Sequence, residues 1–180
     1  KLPNPRPSPI FANIGKNAST SLDNAHQDYL DLITQFAALV DGYVVNISSP
    51  NTAGLRELLK PARLQEFLSP LAKRLGEVGR PWLLKISPDI DDAELETVLQ
   101  ISSAAGAGGW VLTNTSQGLR DGLRFPPEGG VSGMPLAERS KALLRSAVRL
   151  LGNEKHDRLL VSVGGILTAQ DVEERLEMGA

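Results

Sequence analysis

Apolar residues in this chain fall into two alternating patterns. Short β-branched or aromatic runs at 10–14, 43–45, 82–86, 110–113 and 159–163 predict five strands. The stretches between them carry apolar residues at helical spacing. A helix is predicted from a cap at Ser21 or Asp23 to about Leu39, with Tyr29, Ile33 and Phe36 on its apolar side. A second spans 61–75, with Pro61 in its first turn and Gly76 as its stop. Asp91 and Asp92 open a third, where acids suit the helix dipole. Residues 135–151 give a fourth, and Thr168 caps a fifth. The proline-rich stretch 1–9 reads as a connector.

Strand and helix in alternation imply parallel strands with helical crossovers. The polar residues cluster after the strands, at their C-terminal ends. Both the eight-stranded barrel and the open doubly wound sheet place ligands there. No G-x-G-x-x-G follows the first strand, which weakens the doubly wound reading. A complete barrel takes about 250 residues. The expectation is therefore an α/β fold, a (β/α)8 TIM barrel represented by about five βα units. Five units in 180 residues would be part of one such barrel. The stretch 114–134 is predicted to be free of helix, and a loop that long in a compact domain is functional or disordered.

Composition narrows the chemistry. A net charge of −2 argues against a nucleic-acid footprint. With no cysteine, there is no disulfide, thiolate metal site or Cys base. His26 and His156 lie far apart in polar stretches and suggest neither a triad nor a metal site. No apolar run reaches membrane-spanning length, and the start lacks the apolar core of a signal peptide.

The densest candidate site follows the second strand. Residues 43–56 read YVVNISSPNTAGLR, a buried strand that turns into Asn46, Ser48, Ser49, Asn51 and Thr52. Asn and Ser also make ordinary turns through bonds to their own backbone, so that reading stays open on spacing alone. Lys85 sits between Leu84 and Ile86, and alternation puts it on one face with Leu83 and Ser87. A buried lysine needs a counter-charge, such as an anionic ligand or electron-rich ring. The competing reading is an edge strand with a solvated Lys85. Thr113-Asn114-Thr115 ends the fourth strand. Two glycine-rich turns, 129–133 and 164–165, precede helices and could form phosphate-binding nests or simple turns.

Taken in order, ANIGKN at 12–17, VVNISSPNTAGLR at 44–56, LLKISPD at 83–89, LTNT at 112–115, GGVSGMPL at 129–136 and SVGG at 162–165 resemble the class 2 dihydroorotate dehydrogenases. The resemblance runs from Asn13 onward. Class 1 relatives use cysteine as the base, whereas this chain has Ser49 and no Cys. The resemblance implies a quinone-linked FMN enzyme of pyrimidine synthesis that oxidises dihydroorotate to orotate. It implies Ser49 as the base that removes the C5 proton. It implies Asn46, Asn51, Asn114 and Thr115 as substrate ligands. Asn13, Asn46, Lys85 and Thr113 would contact flavin, and Gly133 and Gly165 its phosphate. The implied partners are dihydroorotate, orotate and a quinone. Family members carry a barrel segment before this stretch and a final strand after it, so the resemblance implies that residues 1–180 are the central and C-terminal part of one FMN-binding barrel domain, with flanking barrel segments missing. Peripheral contact with the inner membrane, on the cytoplasmic side in a bacterium, is expected only through a missing N-terminal segment. Two rivals remain: another FMN barrel oxidoreductase of a pyrimidine ring, and a non-catalytic barrel fragment.

Overall fold

The computed structural model describes residues 7–49, 54–120 and 128–180. Five strands form one sheet: β1 (Phe11–Ile14), β2 (Gly42–Asn46), β3 (Trp82–Ile86), β4 (Gly109–Leu112) and β5 (Leu159–Ser162). Every neighbouring pair is parallel, and the spatial order equals the sequence order. A doubly wound sheet would reverse its order at a switch point. An unbroken order with a helix after each strand is the wall of a TIM barrel, here a partial one.

The helices α1 (Ala25–Phe36), α2 (Pro61–Val78), α3 (Asp92–Ala104), α4 (Ala137–Leu151) and α5 (Ala169–Glu177) follow the strands in turn. Tyr43, Val45, Leu84, Ile86, Trp110 and Leu112 are fully buried on the helix side of the sheet. Their polar tips are satisfied. The Tyr43 hydroxyl donates to the Ile33 carbonyl (2.7 Å), and the Trp110 indole N–H donates to Ser102 Oγ (2.9 Å). Tyr29 meets Phe67 edge to face at 5.0 Å, joining α1 to α2.

Several element ends differ from the sequence reading. Helix α1 starts at Ala25 after Asn24, which makes no side-chain cap, and stops at Phe36 rather than near Leu39. Helix α2 continues through Gly76 to Val78, and Gly79 ends it in a left-handed conformation at φ 66°. The single-turn helix at Leu55–Leu59 and the one at Gly152–Asp157 were not expected. Asp91 caps α3 through a reciprocal capping box with Glu94, and Thr168 does the same for α5 with Asp171. Each such cap contributes about 1 kcal/mol. Among its described residues the 114–134 loop holds an antiparallel bridge, Ser116 to Val131. No helix among the described residues is long and apolar enough to cross a membrane.

Candidate active site

The strand register assembles the site. Asn46 pairs with Lys85, Lys85 with Val111, and Asn13 with Val44, so these side chains share the face opposite the helices. Strand β3 lies between β2 and β4, so Lys85 is not on an edge strand. Lys85 is half-buried, and no hydrogen-bond or ion-pair partner meets its ammonium among the described residues. Burial holds its pKa below the ordinary lysine value.

An amide and hydroxyl cluster closes the C-terminal ends of these strands. Asn114 Nδ2 donates to Asn46 Oδ1 and to Ser48 Oγ, each at 3.2 Å. Asn46 Oδ1 also accepts from the Ser48 N–H (3.2 Å) and the Ser48 hydroxyl (3.3 Å). The Ser48 hydroxyl lies 2.9 Å from the Lys85 carbonyl, to which it can also donate. The single Ser48 hydroxyl proton serves one of these two acceptors at a time, so the Ser48 N–H and the Asn114 amide are the two donors that fix the orientation of Asn46. Asn46 Nδ2 has no acceptor among the described residues, so it is the group left for a ligand. Asn114 is used from both ends, since its Oδ1 accepts from the Thr115 N–H (2.9 Å). The Thr113 N–H donates to the Val163 carbonyl (3.2 Å), and Thr113 Oγ1 to the Asn114 carbonyl (2.7 Å).

Ser49 follows the cluster, partly exposed, and its hydroxyl has no partner among the described residues. Asn13 is exposed on the same sheet face. Asn51 lies outside the described residues. The Gly164-Gly165 turn packs against the start of α4, which the 129–133 turn leads into. Gly164 and Gly165 adopt φ 112° and 68°. A Cβ at Gly165 would stand 2.5 Å from Ala137 Cα, and Ala137 lies shortly after Gly133, which has φ 71°. The Gly165 N–H has no acceptor among the described residues. Free N–H groups beside a helix start suit a phosphate. A half-buried Lys85 without a partner among the described residues suits an electron-rich ring. On both counts the residues present fit a phosphorylated flavin.

Three features escaped the sequence reading. Ser48, buried beside the more obvious Ser49, ties Asn46 and Asn114 together. The Tyr29 hydroxyl donates to the Asn46 carbonyl (2.7 Å), and burial pushes its pKa up. Asp89 organises the long loop. Its carboxylate accepts from the Ser116 hydroxyl, the Gln117 N–H (2.7 Å) and the Gly118 N–H (3.3 Å), and it faces Arg139 Nε at 3.6 Å. A carboxylate after a strand, two residues from Ser87, offers no periodic signal of that role.

The family model for dihydroorotate dehydrogenase matches residues 2–180. The chain belongs to the dihydroorotate dehydrogenase family. It is 39% identical to the dihydroorotate dehydrogenase (quinone) of Myxococcus xanthus, an alignment covering 97% of this chain and 48% of that protein. It is 41% identical to the protein of the same name from Thermobifida fusca, over 95% of this chain and 47% of the relative. The crystal structure of ligand-free DHODH from Eimeria tenella superposes with a TM-score of 0.84 at 27% identity, over 96% of this chain and 52% of that one. The chain thus spans about half the length of the curated relatives it matches. The sheet order and these dihydroorotate dehydrogenase neighbours agree on a partial TIM barrel.

Proposed function

We propose that this chain is part of a quinone-linked dihydroorotate dehydrogenase that binds FMN and oxidises dihydroorotate to orotate in pyrimidine synthesis. Residues 1–180 form one stretch of a single barrel domain, and the remaining strands lie outside them. The observation that carries the reading is the Asn46–Ser48–Asn114 cluster set beside the ammonium of Lys85, which has no partner among the described residues.

Bound FMN would supply the hydride acceptor for the substrate's C6 hydrogen. Ser49 removes the C5 proton, so the two losses together leave the C5–C6 double bond of orotate. Serine is a weak base when free, so it depends on the concurrent hydride departure and on passing its proton to water. Asn46 Nδ2 donates to a carbonyl of the substrate or of the flavin ring. Asn51, Asn114 and Thr115 complete the polar wall around the substrate. Lys85, Asn13 and Thr113 face the flavin. With flavin bound, Lys85 would set its positive charge beside the ring and favour the anionic reduced form. Gly133 and Gly165 offer backbone N–H groups to the phosphate. Oxidant is regenerated by a quinone, as the relatives' names suggest. Contact with the inner membrane, on its cytoplasmic face in a bacterium, falls to residues outside this chain.

The test uses the full-length protein that contains this chain. Purified protein should be yellow, and anaerobic dihydroorotate should bleach its flavin absorbance. Orotate should appear in equal amount, and a water-soluble quinone should restore the colour. A yellow protein that dihydroorotate does not bleach would point to another pyrimidine-ring substrate. A colourless one that does not take up FMN would overturn the reading.

A further inference from the structure

Arg175 lies on α5, outside the amide cluster, and is 3% exposed. Among the described residues its guanidinium donates to neutral oxygens only. Nη1 reaches Ser140 Oγ (2.8 Å) and Ser162 Oγ (2.7 Å). Nη2 reaches the Ala137 and Gly164 carbonyls, each at 3.1 Å. No carboxylate pairs with it among the described residues, and its buried Nε has no partner. Burial pulls its pKa below the usual arginine value, while the charges of Glu174, Asp171 and Glu138 oppose that from a distance. A buried guanidinium held only by dipoles carries a charge that a nearby anion would compensate.

Its bonding pattern points to where that anion sits. The Gly164 carbonyl and the Gly165 N–H belong to one peptide unit. A cationic donor on the oxygen polarises the unit and makes the N–H a stronger donor. The N–H groups of Gly165 and Ile166 have no acceptor among the described residues. The same guanidinium holds the Ala137 carbonyl in the first turn of α4, against which Gly165 is pressed. Ser140, which accepts from Arg175, donates its hydroxyl to the Val163 carbonyl (2.6 Å). One side chain thus links the end of β5, the glycine turn and the start of α4.

We infer that Arg175 is the positioning residue of a phosphate cradle: it fixes the Gly164–Gly165 turn on α4, sharpens the Gly165 N–H as a donor, and supplies positive charge behind it. This rests on the FMN reading proposed above. Arg175 touches neither flavin ring nor substrate. It acts through the turn.

The experiment titrates the flavin-free full-length protein with FMN and, separately, with riboflavin, which has the same ring and no phosphate. The unaltered protein should prefer FMN. Arg175→Met keeps an apolar stem and removes the fork. It should weaken FMN binding by at least about tenfold, about 1.4 kcal/mol, and leave riboflavin binding unchanged. Arg175→Lys keeps the charge without the planar fork and should recover part of the preference. Inorganic phosphate should shift the Gly165 amide resonance in the unaltered protein and not in Arg175→Met. If Arg175→Met fails to fold, Arg175→Lys and Ser162→Ala decide, each being expected to reduce the FMN-to-riboflavin affinity ratio. An arginine that serves only packing would lower both affinities together, and a ratio unchanged in every variant overturns the inference. An unaltered protein that binds riboflavin as tightly as FMN removes the cradle and the inference with it. An unaltered protein that binds neither instead refutes the FMN reading itself, which the inference needs.

Discussion

Asn114 reaches across an intervening strand to Asn46, its Nδ2 lying 3.2 Å from Asn46 Oδ1. One residue follows β4 and the other ends β2, so β3 and Lys85 are spanned by the link. The bond saturates the Asn46 oxygen and turns its NH2 towards the space where a ligand would lie. The orientation of one amide is thus set by the other.

Asn114→Ala should therefore act through Asn46. In the full-length protein it should raise KM for dihydroorotate and cost about 1 kcal/mol of stability, the scale of one lost hydrogen bond. Steady-state kinetics and urea unfolding check both. An unchanged KM would mean that the Asn46 amide is held without Asn114.

Ser49→Ala should slow flavin reduction by dihydroorotate at least about a hundredfold, the scale of lost general-base catalysis. FMN content should be unaffected, because no bond of the Ser49 hydroxyl supports the fold among the described residues. Stopped-flow absorbance gives the rate, and near-normal reduction would take Ser49 out of the mechanism.

Lys85 predicts a pH dependence with a definite sign. Burial lowers its folded pKa below the unfolded one. Between those two values the unfolded state binds more protons, so this group's contribution to stability rises with pH. Below the folded value the full penalty of a half-buried charge applies. Lys85→Met should therefore stabilise the flavin-free full-length protein at neutral pH, with the gain shrinking as pH approaches about 10.4, the unperturbed lysine value. The same variant should lose part of the stabilisation that FMN confers. Thermal melts over pH, with and without FMN, test this. A gain that grows with pH would contradict the burial argument.

Asp89→Ala should release the long loop. It removes the acceptor for Ser116, Gln117 and Gly118 together. Bonds to a charged group are worth about 1.5–3 kcal/mol each. Amide exchange at Ser116 and Val131, which bridge the loop, should speed up while β3 stays protected. Equal protection in both proteins would show that the bridge stands without Asp89.

The strands were legible because each is an apolar run whose neighbours in the sheet are equally apolar. Trp82–Ile86 is recovered to the residue. The end of α2 was not, because a glycine reads as a stop. Gly76 costs a helix about 1 kcal/mol relative to alanine, and the burial of Leu75 on the same turn offsets it. In the site, Asn46, Lys85 and Asn114 stand out as polar residues in apolar strands or directly after them. Ser48 hid behind Ser49, since adjacent serines give no sign of which one turns inward. Arg175 sits in a glutamate-rich helix, where a cation reads as a solvated partner. Its burial depends on Ser140 and Ser162, which belong to other elements.

The agreement between strand order and sequence order also bears on how the chain acquires its shape. Among these five strands each partner is the next one made, a single crossover away. Closing short loops takes less entropy than closing long ones, and contacts near in sequence form sooner. The sheet can grow strand by strand in the order of synthesis, and the last partner that Asn46 requires, Asn114, arrives two units after it.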